Sequence, residues 1–313
     1  MSDSPISPGA ARGAPRSSQA RIEQHLHGAA AALDVVPVDG PLGAEIRGLD
    51  IAQPLDAATI RAIEDAWSEH LVLVFRDQHL SIAQHLAFAA QFGEILEGNQ
   101  TSRTELSHQH RGLLEVSTVD GQGRQRERGL GSAEAFWHTD MSYKAVPPAG
   151  SFLFSREVPS VGGNTCFSNM YIAYETLPAD LARAIEGRSA VHDESRNSAG
   201  RMRPGYVDER DPSKTPGPRH PLVRTHPVTG RKALFLGRRP YSFVPGLDVT
   251  ASEALLDRLW AHASQPRLAW CHQWRVGDMV MWDNRCTMHR RDEFEPGARR
   301  VMHRTQTVGT VPV

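Results

Sequence analysis

The chain is poor in cysteine, in net charge and in long apolar runs, and each shortage excludes something. Cys166, Cys271 and Cys286 are the only cysteines in 313 residues, widely spaced and without a CxxC pair. An odd, scattered set argues against a disulfide framework and a thiolate zinc site, and favours a reducing, cytoplasmic setting. Lys and Arg number 35 against 36 Asp and Glu, a formal net charge of −1. No global field therefore points to nucleic acid or a membrane surface as partner. No apolar stretch approaches the ~20 residues needed to span a bilayer. No Gly-rich phosphate loop follows a strand pattern, which makes a nucleotide fold a poor expectation.

What is present is ordinary globular material, 40% hydrophobic and 23% charged, enough for a sizeable core. The opening "MSDSPISPGAARGAPRSSQAR" is rich in Ser, Pro, Ala and Gly and has no apolar h-region. It reads as a disordered tail over residues 1–30, not a secretory signal. No repeat or linker divides residues 31–313, so one domain is expected there. "LDVVPVDGPLGAEIRGLDI" alternates as strands do, and "DAATIRAIEDAWSEH" carries helical spacing at Ile60, Ile63, Ala66 and Trp67. "LVLVFRD" is a buried strand, and "SIAQHLAFAAQFG" a helix with Ser81 as N-cap. "MYIAYETLPADLARAIEG" and "ASEALLDRLWAHASQ" read as helices. "GSFLFSREV" and "NTCFSNM" read as strands, "HPLVRTHPVTGRKALFLG" as two strands about a turn, and "RRVMHRTQTVG" as the closing strand. "LAWCHQWRVGDMVMWDNRCTMH" reads as two strands joined at 276–278. Residues 94–135 and 194–219 are polar and weakly patterned, long enough to be lids. Many short strands with a few helices favour a mainly β sandwich or barrel with helical decoration.

Chemistry first shows in "WHTDMSY", residues 137–143. In a strand His138 and Asp140 would share a face. They could be a buried hydrogen-bonded pair, a base with its orienting group, or two metal ligands. "MVMWDNRCTMHRRDEF" adds His289. Two histidines and a carboxylate on one face of an octahedron leave three positions open, as in non-heme Fe(II) oxygenases. Zinc hydrolases can use the same donors, but the HExxH helix they commonly show is missing. Arg300 and Arg304, four apart in the last strand, share a face, and an Arg clamps a carboxylate with two parallel hydrogen bonds. Two such clamps suit two anions.

"WHTD", "GGNTCFSNMYIAYETL", "LVRTHPVTGRKALF", "WDNRCTMHR" and "RRVMHRTQTVG" together resemble the TauD/TfdA family of Fe(II)- and 2-oxoglutarate-dependent dioxygenases, from about residue 33 to 309. The spacing agrees as well: Thr165 stands 27 residues after His138, and Arg300 stands 11 after His289. The resemblance implies a double-stranded β-helix, a jelly-roll core of the clavaminate synthase-like kind. It implies iron on His138, Asp140 and His289. It places the distal carboxylate of 2-oxoglutarate on Arg300, with Thr165 assisting, and the substrate's anionic group on Arg304. The implied reaction uses O2, converts 2-oxoglutarate to succinate and CO2, and hydroxylates a small carboxylate, sulfonate or sulfate ester. Some products would then fragment to an aldehyde or ketone. A homo-oligomer is compatible, with no feature fixing the number of copies. A zinc hydrolase or a non-catalytic binder of 2-oxoglutarate or another anion are the alternatives; neither needs the triad together with the arginine clamp.

The pattern departs from taurine-specific members, which place a His after "FGE" and an Asn four residues before the first metal His. Gly98 and Glu134 occupy the corresponding places here, which counts against taurine. Trp137 and Trp282 read as core aromatics. His303 falls on the opposite strand face from the two arginines, and His108, His110 and Glu134 read as solvated loop residues.

Overall fold

"VLVF" and "MVMW" are apolar at every position, and such runs form strands buried on both faces. The computed structural model, which describes residue 1 and residues 33–97, 104–125, 136–196 and 202–313, sets them side by side. They are β3 (Val72–Phe75) and β12 (Met279–Asp283), adjacent in a seven-stranded sheet of order β1-β2-β3-β12-β5-β14-β4. The others are β1 (Asp34–Pro37), β2 (Ala44–Arg47), β4 (Leu114–Ser117), β5 (Gly150–Glu157) and β14 (Val301–Gln306). All neighbours run antiparallel except β2 and β3. A second sheet of order β11-β6-β13 joins β6 (Thr165–Asn169), β11 (Ala269–His272) and β13 (Thr287–Arg291). Two short pairs complete the strands: β7 (Ser189–Val191) with β8 (Arg219–Pro221), and β9 (Val223–Thr225) with β10 (Lys232–Leu234).

Alternation along the central strands decides which core each side chain enters. Val72 and Val74 of β3, Val280 and Trp282 of β12, and Leu153 of β5 meet Phe167 of β6 and Met288 of β13. Leu73, Phe75, Met279, Met281, Phe152 and Phe154 point the other way. There they pack on Ile63 and Trp67 of the helix Ala57–His70 and on Phe88 of the helix Ile82–Ala90. Both helices start at a side-chain cap: Asp56 accepts from Thr59 N, and Ser81 with Gln84 makes a capping box. The result is a jelly-roll core with helices on its outer face. Among the described residues no helix is long and apolar enough to cross a membrane.

Five expectations need correction or a limit. The helix read over "MYIAYETLPADLARAIEG" is two, Met170–Glu175 and Ala179–Ile185, because Pro178 lacks an N–H and opens the second. Residues 94–135 hold the short helix Glu105–Gln109 and β4, which pairs with β14. "WHTDMSY" is no strand: His138 makes isolated bridges, and the chain turns at Met141, whose φ is 48°. The two strands read about 276–278 are present, β11 in the small sheet and β12 in the large one. Cys166 and Cys271, 105 residues apart, face each other across β6 and β11 and form a disulfide, against the expectation of free thiols; Cys286 is free and buried. Distance along the chain says nothing about distance across a sheet. The compact unit around these sheets spans Leu33–Val313. The expected tail, Gly98, Glu134 and the segments 98–103, 126–135 and 197–201 of the expected lids lie outside the described residues.

Candidate active site

β13 places His289 beside His138 through a pair of backbone hydrogen bonds, His138 N to His289 O and the reverse, each 2.8 Å. Gly237 holds the next residue: its carbonyl accepts Thr139 N at 3.0 Å. With φ +70° and His192 Nδ1 2.2 Å from where a Cβ would stand, position 237 has room only for glycine. Asp140 is then pinned by Asn284, whose amide accepts from Asp140 N at 2.9 Å and donates to Asp140 O and Pro148 O at 3.0 Å. Sequence reasoning gave Asn284 no role; nothing in a lone Asn after a strand names its partner.

These constraints bring His138, Asp140 and His289 together, all buried, with one donor atom from each within 4.8 Å of the others. Asp140 Oδ1 lies 3.8 Å from His138 Nε2 and 3.9 Å from His289 Nε2. His138 Nδ1 donates to Phe136 O at 2.8 Å, since a carbonyl can only accept, which leaves the Nε2 lone pair facing the cluster. Burial opposes the charge on Asp140, but Arg304 and the two histidines outweigh it and hold the carboxyl at about 2. Burial, then the charges of His138 and Arg304, push His289 down to about 3. At neutral pH the carboxylate is ionised and this imidazole neutral, the protonation states a metal requires. The donor set therefore fits one divalent ion with hard and borderline ligands.

Arg304, expected to face substrate, sits 9% exposed against this carboxylate, with Nη1 3.0 Å from Oδ1 and 3.2 Å from Oδ2. Arg300 is buried just ahead of β14, its backbone locked to Thr118 by hydrogen bonds in both directions. Thr165 opens β6, and its hydroxyl accepts from Trp274 Nε1 at 3.0 Å. That leaves the hydroxyl proton available to a carboxylate ligand. Trp282 is core, as expected, and its ring lies 4.9 Å from that of His289. Trp137 is half-buried under Arg290, 5.3 Å from its ring. His303 turns away from the site, where burial, Arg156 and His110 push it down to about 4. Behind the motif, His226 and Arg285 both bind Asp283, a buried network that anchors the turn leading to His289.

The chain matches the family described as "Taurine catabolism dioxygenase TauD, TfdA family" over residues 34–306. It is 37% identical over 279 residues to the alpha-ketoglutarate-dependent 2,4-dichlorophenoxyacetate dioxygenase of Cupriavidus pinatubonensis, covering 87% of this chain and 96% of that one. Against the alpha-ketoglutarate-dependent sulfate ester dioxygenase of Pseudomonas putida the identity is 33%, covering 90% and 91%. The crystal structure of AAD-2 in complex with Mn(II) and N-oxalylglycine superposes with a TM-score of 0.76 at 30% identity, covering 90% of this chain and 98% of the other. Fold, motif order and near full-length similarity converge: the chain belongs to the TauD/TfdA family and is an Fe(II)- and 2-oxoglutarate-dependent dioxygenase.

Proposed function

We propose that His138, Asp140 and His289 hold the ferrous ion, that Arg300 and Thr165 hold the distal carboxylate of 2-oxoglutarate, and that Arg304 receives the anionic group of a small organic substrate. The observation that carries this reading is the buried His–Asp–His cluster with Arg304 against its carboxylate. Bound Fe(II), with 2-oxoglutarate and O2, supplies an oxidant able to hydroxylate an unactivated C–H bond while 2-oxoglutarate becomes succinate and CO2. The chain's own part is charge placement and exclusion of water. Arg300 offers a planar fork that matches a carboxylate. Thr165 donates its hydroxyl proton to the same anion. Arg304 sets the substrate's negative end at a fixed distance from the metal, so the carbon presented for hydroxylation lies a short way from that anion.

Relatives named for 2,4-dichlorophenoxyacetate, (S)-phenoxypropionate and sulfate esters support an anion next to an ether or ester oxygen as the substrate class. Hydroxylation at the carbon bearing that oxygen gives a hemiacetal-type product that breaks to a carbonyl compound and a phenol or sulfate. We place the reaction in the cytoplasm, on the availability of 2-oxoglutarate and ferrous iron and no longer on the cysteines, two of which are bonded.

The test is an anaerobic titration with Fe(II) and 2-oxoglutarate, read by the visible charge-transfer absorption of the chelate, followed by succinate release across phenoxyalkanoates, alkyl sulfates and taurine. Wild type should show the band and His289→Ala should not. Arg304→Gln should raise the substrate KM by more than it weakens the band, which it also touches through its contact with Asp140. A wild-type protein that binds metal but develops no band would sink the assignment.

A further inference from the structure

The two oxygens of Asp140 are held differently. Oδ1 faces the two histidine nitrogens. Oδ2 accepts from Ser151 Oγ at 3.0 Å and from Gln306 Nε2 at 3.0 Å, and Gln306 Nε2 also lies 2.9 Å from Ser151 Oγ. Arg304 reaches both oxygens and so does not discriminate between them. We propose that Ser151 and Gln306 form a brace that occupies Oδ2 and presents Asp140 to the metal through Oδ1 alone, a role resting on the metal reading above.

Proton counting supports a single arrangement. An ionised carboxylate only accepts, so the amide nitrogen of Gln306, not its oxygen, must face Asp140. Ser151 spends its one proton on Oδ2, and its oxygen then accepts the second amide proton of Gln306. Each donor has one partner and no two protons collide. The brace is also rigid. Ser151 on β5 and Gln306 on β14 are direct partners in the register of the large sheet, and they are 0% and 8% exposed. Neither side chain can leave without stranding a buried polar atom.

The consequence lies in coordination number. A carboxylate bound through both oxygens would occupy two positions on the metal. Bound through one, it leaves three of six open after the histidines, enough for a two-point cosubstrate and O2. Ser151 and Gln306 are positioning residues on this account, acting through Asp140 and not on substrate.

The full-length protein, stripped of metal and titrated with Mn(II), tests the brace. Ser151→Ala and Gln306→Leu should each raise the Mn(II) dissociation constant about tenfold or more, the range typical of lost partners of metal ligands. Both should displace or weaken the Fe(II)–2-oxoglutarate band at saturating metal, and Ser151→Thr, which keeps the hydroxyl, should restore it. Ser151→Ala removes a single oxygen, so it reads the brace even where Gln306→Leu fails to fold. Unchanged Mn(II) affinity and an unchanged band in Ser151→Ala overturn the brace while leaving the metal site standing. A wild type that does not bind Mn(II), or a His289→Ala that binds it equally well, overturns the metal reading itself.

Discussion

His138 and His289 exchange both of their backbone hydrogen bonds, and the exchange lays their rings 4.2 Å apart between centroids. Main chain, not side chain, thus joins the two imidazoles, so either can be truncated without breaking the bridge. His138→Ala and His289→Ala are expected to abolish succinate formation while shifting the melting temperature by no more than a few degrees. Thermal melts beside turnover assays check this, and loss of the folded state in both would contradict it.

Arg300 is buried, and the proposed carboxylate contact uses the guanidinium fork. Arg300→Lys keeps the charge and loses the second parallel hydrogen bond. A charged hydrogen bond contributes about 1.5–3 kcal/mol, so the KM for 2-oxoglutarate should rise about 10- to 100-fold. Mn(II) affinity without cosubstrate should not move; isothermal titration separates the two quantities.

Asn284 satisfies both backbone groups of Asp140. Asn284→Ala would strand them in a buried setting, at a cost of about 1–3 kcal/mol. Urea unfolding should show that loss, together with weaker metal binding. An effect on metal binding with none on stability would mean the clamp is local only.

Acid should destabilise the metal-free protein in two windows. Burial and then His303 push His85 down to about 3, and burial with His220 and Arg238 puts His192 at about 3. In the unfolded chain these histidines titrate near ~6.5. Between that value and the folded one the unfolded chain binds more protons, so their contribution is complete above pH ~6.5 and drains away as pH falls. Asp140, at about 2 against an ordinary 3.8, adds a second loss only below pH ~4. Urea midpoints from pH ~7.5 to ~2.5, with chelator present, should fall steadily to pH ~4 and further below it, and His85→Leu should flatten the first part of the slope.

The disulfide between Cys166 and Cys271 closes a long loop. Denatured, unreduced protein should titrate as one thiol, from Cys286, and as three after reduction. Reduction should cost about 2–4 kcal/mol of stability. Three thiols without reductant would restore the expectation drawn from cysteine spacing.

That His138, Asp140 and His289 come together could be read from the sequence, because the order and spacing of their motifs resemble those of a known family. The capped helices could be read too, since Asp56 and Ser81 stand just ahead of their apolar stripes. Asn284, Ser151, Gln306 and Trp274 could not. Asn284, Gln306 and Trp274 take their meaning from partners more than a hundred positions away, and Ser151 from Asp140 eleven residues before it across a turn; no local period carries that information. β4 escaped notice for a similar reason: four residues, half of them polar, become a strand only because β14 offers an edge. The break at Pro178 was visible in the letters, but a continuous amphipathic pattern on both sides concealed it.

One strand, β14, carries Arg304 and Gln306 toward Asp140 and turns His303 toward the opposite layer, with Arg300 immediately ahead of it. A single residue inserted or deleted inside β14, which is paired on both sides, would reverse the orientation of every side chain beyond it. Point changes along β14 can be sampled one at a time, but changes of length there are all-or-nothing. Divergence toward new substrates is therefore expected to accumulate as insertions elsewhere in the chain, with the length of β14 from Val301 to Gln306 left intact.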